Sequence, residues 1–272
     1  MQETGLTFDT LINELKNNSS QIIKGGFTFK ELPHKQQRKI LNGGYDAVEI
    51  PAKLANIYND FLSECVYMND DAVDLARVVT LETKPYFINL LRVASYGKTY
   101  YMKGEAYDLY EVTADDLKIK TAPATIVANK FKINLDVPTL IDDSRYNNLL
   151  VTALAPHKKK RSFDDVNIGT VNDLYQIYEI LKYIVSFEFN GQVYRFSQYS
   201  IQDRIKFLNN LSSITIEEIK AYIKNTSKKA EEIALTATSQ SSGEKIIVDI
   251  NTLFFSSTTR KDYSNEETID ED

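Results

Sequence analysis

Apolar residues recur at three- and four-residue intervals in several segments of the chain, the spacing that gives a helix one apolar face. The pattern predicts helices at residues 5–16, 51–68, 85–97, 170–185, 200–208 and 215–223. Pro51 suits a first helical turn, and Gly97 suits the residue that follows a helix. These helices need an apolar layer to lie against.

Alternating apolar and polar residues predict short strands between the helices. Such runs occupy residues 26–32, 99–102, 107–112, 117–120, 125–128 and 130–137. Residues 232–237 and 245–250 flank a polar loop and predict a last hairpin. The order of elements favours a helical layer followed by a small antiparallel sheet.

The dipeptide Asn190-Gly191 lies within "SFEFNGQVYRFS" and favours a two-residue hairpin turn, because both positions of that turn need positive φ. Counting outward from the turn predicts three pairs on one face of the hairpin: Phe189 with Gln192, Phe187 with Tyr194, and Val185 with Phe196. One face of this hairpin is therefore predicted to be aromatic and the other polar.

A change of composition near residue 156 indicates a boundary, because a helical pattern meets a proline, a basic run and an acidic pair. The predicted fold class is α+β, with two units that each pack amphipathic helices against small antiparallel hairpins or sheets. The predicted parts are an N-terminal helix at 1–24, α+β domains at 25–156 and 163–256, and a disordered acidic tail at 257–272.

The charge of the chain argues against a nucleic-acid surface, because binding phosphate groups needs clustered basic residues. The formal net charge is -6, and the acidic residues are concentrated after Arg260, so the rest of the chain is nearly neutral. No apolar stretch is long enough to span a bilayer, and the first residues lack a signal-peptide pattern. We expect no membrane partner and an origin in a cytoplasm.

Gly97-Lys98-Thr99 matches only the end of a phosphate-binding loop. Arg92 stands where the first glycine of that motif is needed, and the segment follows a helix where a strand is expected. A helix end is therefore the favoured interpretation. A nucleotide-binding enzyme that uses these three residues is kept as an alternative.

Other candidates for chemistry also have simpler structural interpretations. His34 and His157 lack metal-ligand spacing, and Cys65 falls on the apolar face of a predicted helix. Acidic pairs at 115–116, 142–143 and 164–165 suit turns and caps, and the basic run at 157–161 suits a solvated linker. The sequence predicts no catalytic residue, no cofactor and no metal.

Phe254 and Phe255 stand side by side just before the acidic tail. In a strand, adjacent side chains face opposite sides, so one ring can be buried while the other points away. The alternatives are that both rings close the core or that the pair docks a partner. The predicted partner-binding residues are Phe254, Phe255, Phe187, Phe189 and Tyr194.

Two sets of segments resemble the baseplate hub assembly proteins of T-even-like tailed phages. The first set is residues 27–41, 55–66 and 74–100, and the second is 173–196, 203–211 and the terminal hairpin running into Phe254-Phe255. Leu91-Arg92, Ser95 and Gly97 carry the family's leucine-rich helix motif. The resemblance covers most of residues 25–256, but relatives with paired cysteines in their hairpins differ from this chain, which has one cysteine.

The resemblance implies a non-enzymatic assembly chaperone or adaptor that binds hub or spike subunits of a phage baseplate in the host cytoplasm. A permanent structural subunit of the virion baseplate is the alternative. Self-association stays open. An aromatic-rich chain without a recognisable active site suits protein contact better than turnover.

Overall fold

The computed structural model describes residues 20–43, 50–68, 74–159, 168–250 and 252–254. The helix predicted at 5–16 and the acidic tail at 257–272 lie outside these ranges. The described helices are α1 (His34–Gly43), α2 (Ile50–Cys65), α3 (Leu75–Val78), α4 (Lys84–Tyr96), α5 (Leu140–Leu154), α6 (Ile168–Tyr183), α7 (Ile201–Asn209), α8 (Ser213–Ile223) and α9 (Lys229–Ala234). A π-helical turn, Lys224–Lys228, joins α8 to α9.

In the described part of the chain, short antiparallel strands form three sheets with the orders β1-β2-β3, β11-β10-β5-β4 and β6-β7-β8-β9. The strands are β1 (Gln21–Lys24), β2 (Phe27–Lys30), β3 (Val66–Met68), β4 (Thr99–Met102), β5 (Glu105–Leu109), β6 (Ala124–Ala128), β7 (Phe131–Leu135), β8 (Ile184–Phe189), β9 (Gln192–Arg195), β10 (Thr236–Ser239) and β11 (Lys245–Ile247). The predicted α+β class is confirmed.

Among the described residues, apolar side chains form two buried clusters. The first cluster packs the first two sheets against α2 and α4, and it includes Leu253 and Phe254 from the last described residues. The second packs the third sheet against α5, α6, α7 and α8. Each cluster takes residues from both sides of the boundary predicted near residue 156, because β10 pairs with β5 and β8 pairs with β7.

Three predicted elements have different bounds in the structure. Helix α2 ends at Cys65, and residues 66–68 instead form β3, where Val66 pairs with Phe29 of β2. Residues 116–118 form a 3-10 turn rather than a strand, because Asp116 accepts hydrogen bonds from the backbone N–H and the hydroxyl of Thr113. Residues 232–234 end α9, so the last hairpin begins at β10.

Candidate functional site

The hairpin β8–β9 has the turn and most of the register that the sequence predicts. Asn190 and Gly191 have φ angles of 51° and 77°, as a type I′ turn requires. Phe189 pairs with Gln192, and Phe187 pairs with Tyr194. Because alternate residues of a strand share a face, Phe187 and Phe189 lie on the same side of the sheet.

The predicted pairing of Val185 with Phe196 is wrong. Leu135 pairs with Ile184 and Asn134 pairs with Ser186, so Val185 is the extra residue of a β-bulge. The bulge leaves the Val185 side chain 50% exposed, whereas Phe196 is buried in a 3-10 turn after β9. The aromatic face therefore ends one residue pair earlier than predicted.

Six rings form a continuous surface where β7, β8 and β9 meet α7. We call this the aromatic surface, and its members are Phe131, Phe187, Phe189, Tyr194, Tyr199 and Phe207. Phe189 stacks on Phe131 with 4.7 Å between ring centroids. Phe187 stacks between Tyr194 at 5.1 Å and Phe207 at 5.2 Å. The structure thus brings together three of the five predicted partner-binding residues.

The aromatic surface is only half covered by the rest of the fold. Phe187, Phe189 and Tyr194 are all partly buried. A neighbouring groove of about 310 Å³ is lined by Phe131 and Phe207 together with Leu211 and Ile214 of the α8 region. Partly buried aromatic rings beside a groove of mixed apolar and polar lining are typical of protein contact sites.

The opposite face of the same sheet is more polar. Lys132 of β7 and Glu188 of β8 form an ion pair with 3.1 Å between Nζ and Oε1. Val193 of β9 is 63% exposed on that face, beside Tyr194 on the other. The aromatic rings are therefore confined to one face of the sheet.

Phe254 lies in the first buried cluster, 7% exposed. Its ring packs on those of Tyr58 and Tyr96, with centroids 5.9 and 6.3 Å away. Arg92 holds this turn by donating a hydrogen bond from Nε to the carbonyl of Leu253 at 2.8 Å. A partner could reach the Phe254 ring only if these contacts opened, and Phe255 lies outside the described residues.

Sequence reasoning missed Phe131, Tyr199 and Phe207 as members of the aromatic surface. Phe131, Ile133 and Leu135 are every second residue of β7 and therefore share one face of the sheet. The sequence pattern could thus have placed the Phe131 ring on that face. Phe207 meets Phe187 only through the packing of α7 on the sheet. No local signal in the sequence reports that contact.

A second feature, which we call the inter-core cleft, lies between the two buried clusters. It has a volume of about 710 Å³. Asp143 of α5 lies in its wall and is 2% exposed. Lys84 donates to Asp143 Oδ2 at 3.0 Å, and Lys182 donates to Oδ1 at 2.8 Å. Asn59 also donates to Oδ2, at 3.0 Å.

These contacts fix the charge states of the buried groups. Burial by itself would raise the pKa of Asp143, but the ammonium groups of Lys84 and Lys182 lower it well below its usual range. Burial would lower the pKa of Lys182, but Glu179 and Asp143 raise it above its usual range. Asp143 and Lys182 therefore stay charged at neutral pH, and the contacts of Asp143 with Lys84 and Lys182 tie α4, α5 and α6 together.

The other residues that the sequence offered as candidates for chemistry do not belong to the aromatic surface. Gly97 follows α4 and precedes β4, which is the reverse of the strand–loop–helix order of a phosphate-binding loop. The exposed Lys98 lies near Asp108, with 3.6 Å between Nζ and Oδ2. Burial raises the pKa of the Cys65 thiol to about 11, so the thiol is protonated at neutral pH.

Within the described ranges, histidine, cysteine and acidic side chains form no group that could hold a metal ion. Asp142 belongs to a capping box with Thr139, and its neighbour Asp143 to the buried pairs. The pair at 164–165 lies outside those ranges. No helix in the described part of the chain is long and apolar enough to cross a membrane.

Fold and surface together define an α+β protein whose candidate site is suited to protein contact. The chain belongs to the family of T4 bacteriophage base plate proteins, whose model matches residues 15–255. No curated protein and no solved structure matches it. Membership confirms the resemblance at the level of a T4-like baseplate protein. It favours a non-enzymatic role, interaction with other baseplate proteins and a place in the tail baseplate.

Proposed function

We propose that this chain is a non-enzymatic assembly chaperone or adaptor for the baseplate hub, and that it binds hub or spike subunits in the host cytoplasm. The observation that carries the proposal is the half-covered aromatic surface in a member of a baseplate family. Aromatic rings are common anchors in protein interfaces. The resemblance of the segments to hub assembly proteins supplies the class of client.

The geometry of the surface supports binding without large rearrangement. Phe187 and Phe189 are held on a strand, and their stacked neighbours limit the side-chain rotations that binding would otherwise have to restrict. Tyr194 lies at the edge strand, where its ring contacts Phe187 and its hydroxyl donates to Gln192 Oε1 at 2.6 Å. Tyr194 is only partly buried and is not a member of the second buried cluster, so its removal leaves that core in place.

A matched pair of variants on β9 tests the proposal. Tyr194→Ala removes a ring from the aromatic surface, whereas Val193→Ala shortens an exposed side chain on the opposite face. With purified hub or spike subunits, we expect Tyr194→Ala to weaken binding about tenfold or more, the effect of losing an interface anchor. Val193→Ala should bind as the unchanged chain does.

Two outcomes would refute the proposal. One is that the unchanged chain captures neither hub nor spike subunits at micromolar concentrations. The other is that Tyr194→Ala and Val193→Ala bind equally well while both remain folded by circular dichroism. The melting temperature of each variant serves as the control for folding.

A permanent structural subunit of the baseplate is the second candidate function. The family description, a base plate protein, over residues 15–255 favours it. Quantitative mass spectrometry of purified virions separates the two, because a subunit is present in fixed stoichiometry and a chaperone is absent. Both candidates use the same aromatic surface.

A further inference from the structure

The wall of the inter-core cleft carries more positive than negative charge. Its charged members are Lys84, Lys182, Lys220, Lys224, Lys228, Asp143, Glu179 and Glu231. The wall therefore contains five lysines and three carboxylates. Lys84 and Lys182 are balanced by Asp143 and Glu179 at the base of the cleft. The excess of three lysines over Glu231 therefore lies at its rim.

The rim lysines come from one side of the cleft. Lys220, Lys224 and Lys228 follow at four-residue intervals through α8 and the π-helical turn. Lys220 pairs with Glu217 of its own helix at 2.9 Å, and Lys228 pairs with Glu231 at 3.3 Å. Exposed pairs of this kind contribute little free energy, so the lysines remain available to another anion.

A second observation points to a ligand in the same cleft. Asn147 of α5 lines the cleft and is 2% exposed, and its Nδ2 has no hydrogen-bond partner among the described residues. An unpaired buried donor costs free energy that a ligand oxygen would recover. A carboxylate can pair with a lysine and can also accept a hydrogen bond from an amide N–H, so it is the ligand chemistry that both observations favour.

The described chain ends beside the cleft. Ile250 lines the cleft, and the ring of Phe254 stacks on Tyr58, which also lines it. Residues 262–272 contain six carboxylates and no basic residue. An extended chain reaches about 3.3–3.6 Å per residue, so residues 255–261 could span roughly 25 Å.

We propose that the acidic segment 262–272 binds in the inter-core cleft of the same chain, with its carboxylates on Lys220, Lys224 and Lys228. Attachment to the fold gives the segment an effective concentration on the order of millimolar, so weak ionic contacts suffice. The segment also offers Tyr263 and Ile269 to the apolar part of the wall. Binding should weaken with salt, because the rim is open to solvent.

Zero-length carbodiimide crosslinking of the full chain tests this contact, because it joins a carboxylate to an amine only where the two touch. A mixture of ordinary and ¹⁵N-labelled chains separates links within a chain from links between chains. We expect links within one chain from 262–272 to the three rim lysines. Equal linking to the exposed Lys206 and Lys245, or links only between chains, would overturn the proposal.

Charge-reversal variants of the full chain separate binding from mere proximity. Lys224→Glu should reduce linking of the segment to Lys220 and Lys228 by about threefold to tenfold, the effect of one or two exposed ion pairs. Lys206→Glu makes the same charge change on α7, away from the cleft, and should leave that linking unchanged. Equal yields in both variants would contradict a specific site.

Discussion

Replacing Asp143 with alanine should destabilise the protein strongly, because it leaves two buried ammonium groups without their shared carboxylate. The side chains of Lys84 and Lys182 are 10% and 7% exposed. Lys182 would keep its contact with Glu179 at 3.0 Å. Among the residues that the structure describes, Lys84 would keep a 3.4 Å contact with the carbonyl of Ala55. The main cost therefore falls on Lys84.

The magnitude follows from the cost of an uncompensated buried charge. Removing one partner of a buried pair typically costs about 3–5 kcal/mol, whereas replacing the whole pair with apolar residues is often neutral. For a chain of this size, about 2–4 °C of melting temperature is lost per kcal/mol. We expect Asp143→Ala to melt roughly 6–20 °C below the unchanged chain.

Urea denaturation and thermal melting measure the effect, and two further variants test its cause. Asp142→Ala removes the neighbouring carboxylate, which only completes a helix cap, so it should cost about 1 kcal/mol. The double variant Asp143→Leu with Lys84→Met should recover most of the loss, because no unpaired charge remains. A loss below that of Asp142→Ala, or no recovery in the double variant, would refute the reasoning.

Three further predictions concern pH and the neighbouring residues Phe254 and Phe255. The lowered pKa of Asp143 gives stability that is complete above the ordinary carboxyl pKa of about 4 and falls as the pH drops below it, so urea midpoints should decline there less in Asp143→Ala. Phe254→Ala should cost about 3–5 kcal/mol in urea denaturation, because the ring is buried among Tyr58, Phe61 and Tyr96. Phe255→Ala should weaken client binding, measured with purified subunits, more than it lowers the melting temperature.

Local patterns were sufficient to predict much of the secondary structure. The apolar spacing of residues 85–97 and the proline at its start correspond to α4. The dipeptide Asn190-Gly191 fixed the hairpin, because positive φ at two successive positions leaves few other turns. Pairs of strand residues that are distant in sequence, such as Ala237 and Leu109, could not be predicted. Alternation of apolar and polar residues shows which face of a strand is buried, but it does not show which strand lies beside it.

The same limit explains what was predicted of the sites. The Asn190-Gly191 turn was enough to predict that Phe187 and Tyr194 lie on the same face of the hairpin. The contact of Phe207 with Phe187 forms only when α7 packs on the sheet, so the sequence did not predict it. The pair Asp142-Asp143 was interpreted as turn or cap residues because it lacks the glycine-punctuated spacing of a cation-binding loop. Lys84, the partner of Asp143, is 59 residues away, so the charge appears compensated only in the folded chain.

Strands from before and after residue 156 pair in the same sheets, and a change of composition along the chain does not reveal such pairing. Strand β5 is flanked by β4 from its own segment and by β10 from more than 120 residues later, and each supplies backbone hydrogen bonds. Strand β7 is likewise flanked by β6 and β8. A segment ending near residue 156 would leave one edge of β5 and one edge of β7 unpaired. Backbone groups at such edges need partners, so the later strands complete both cores.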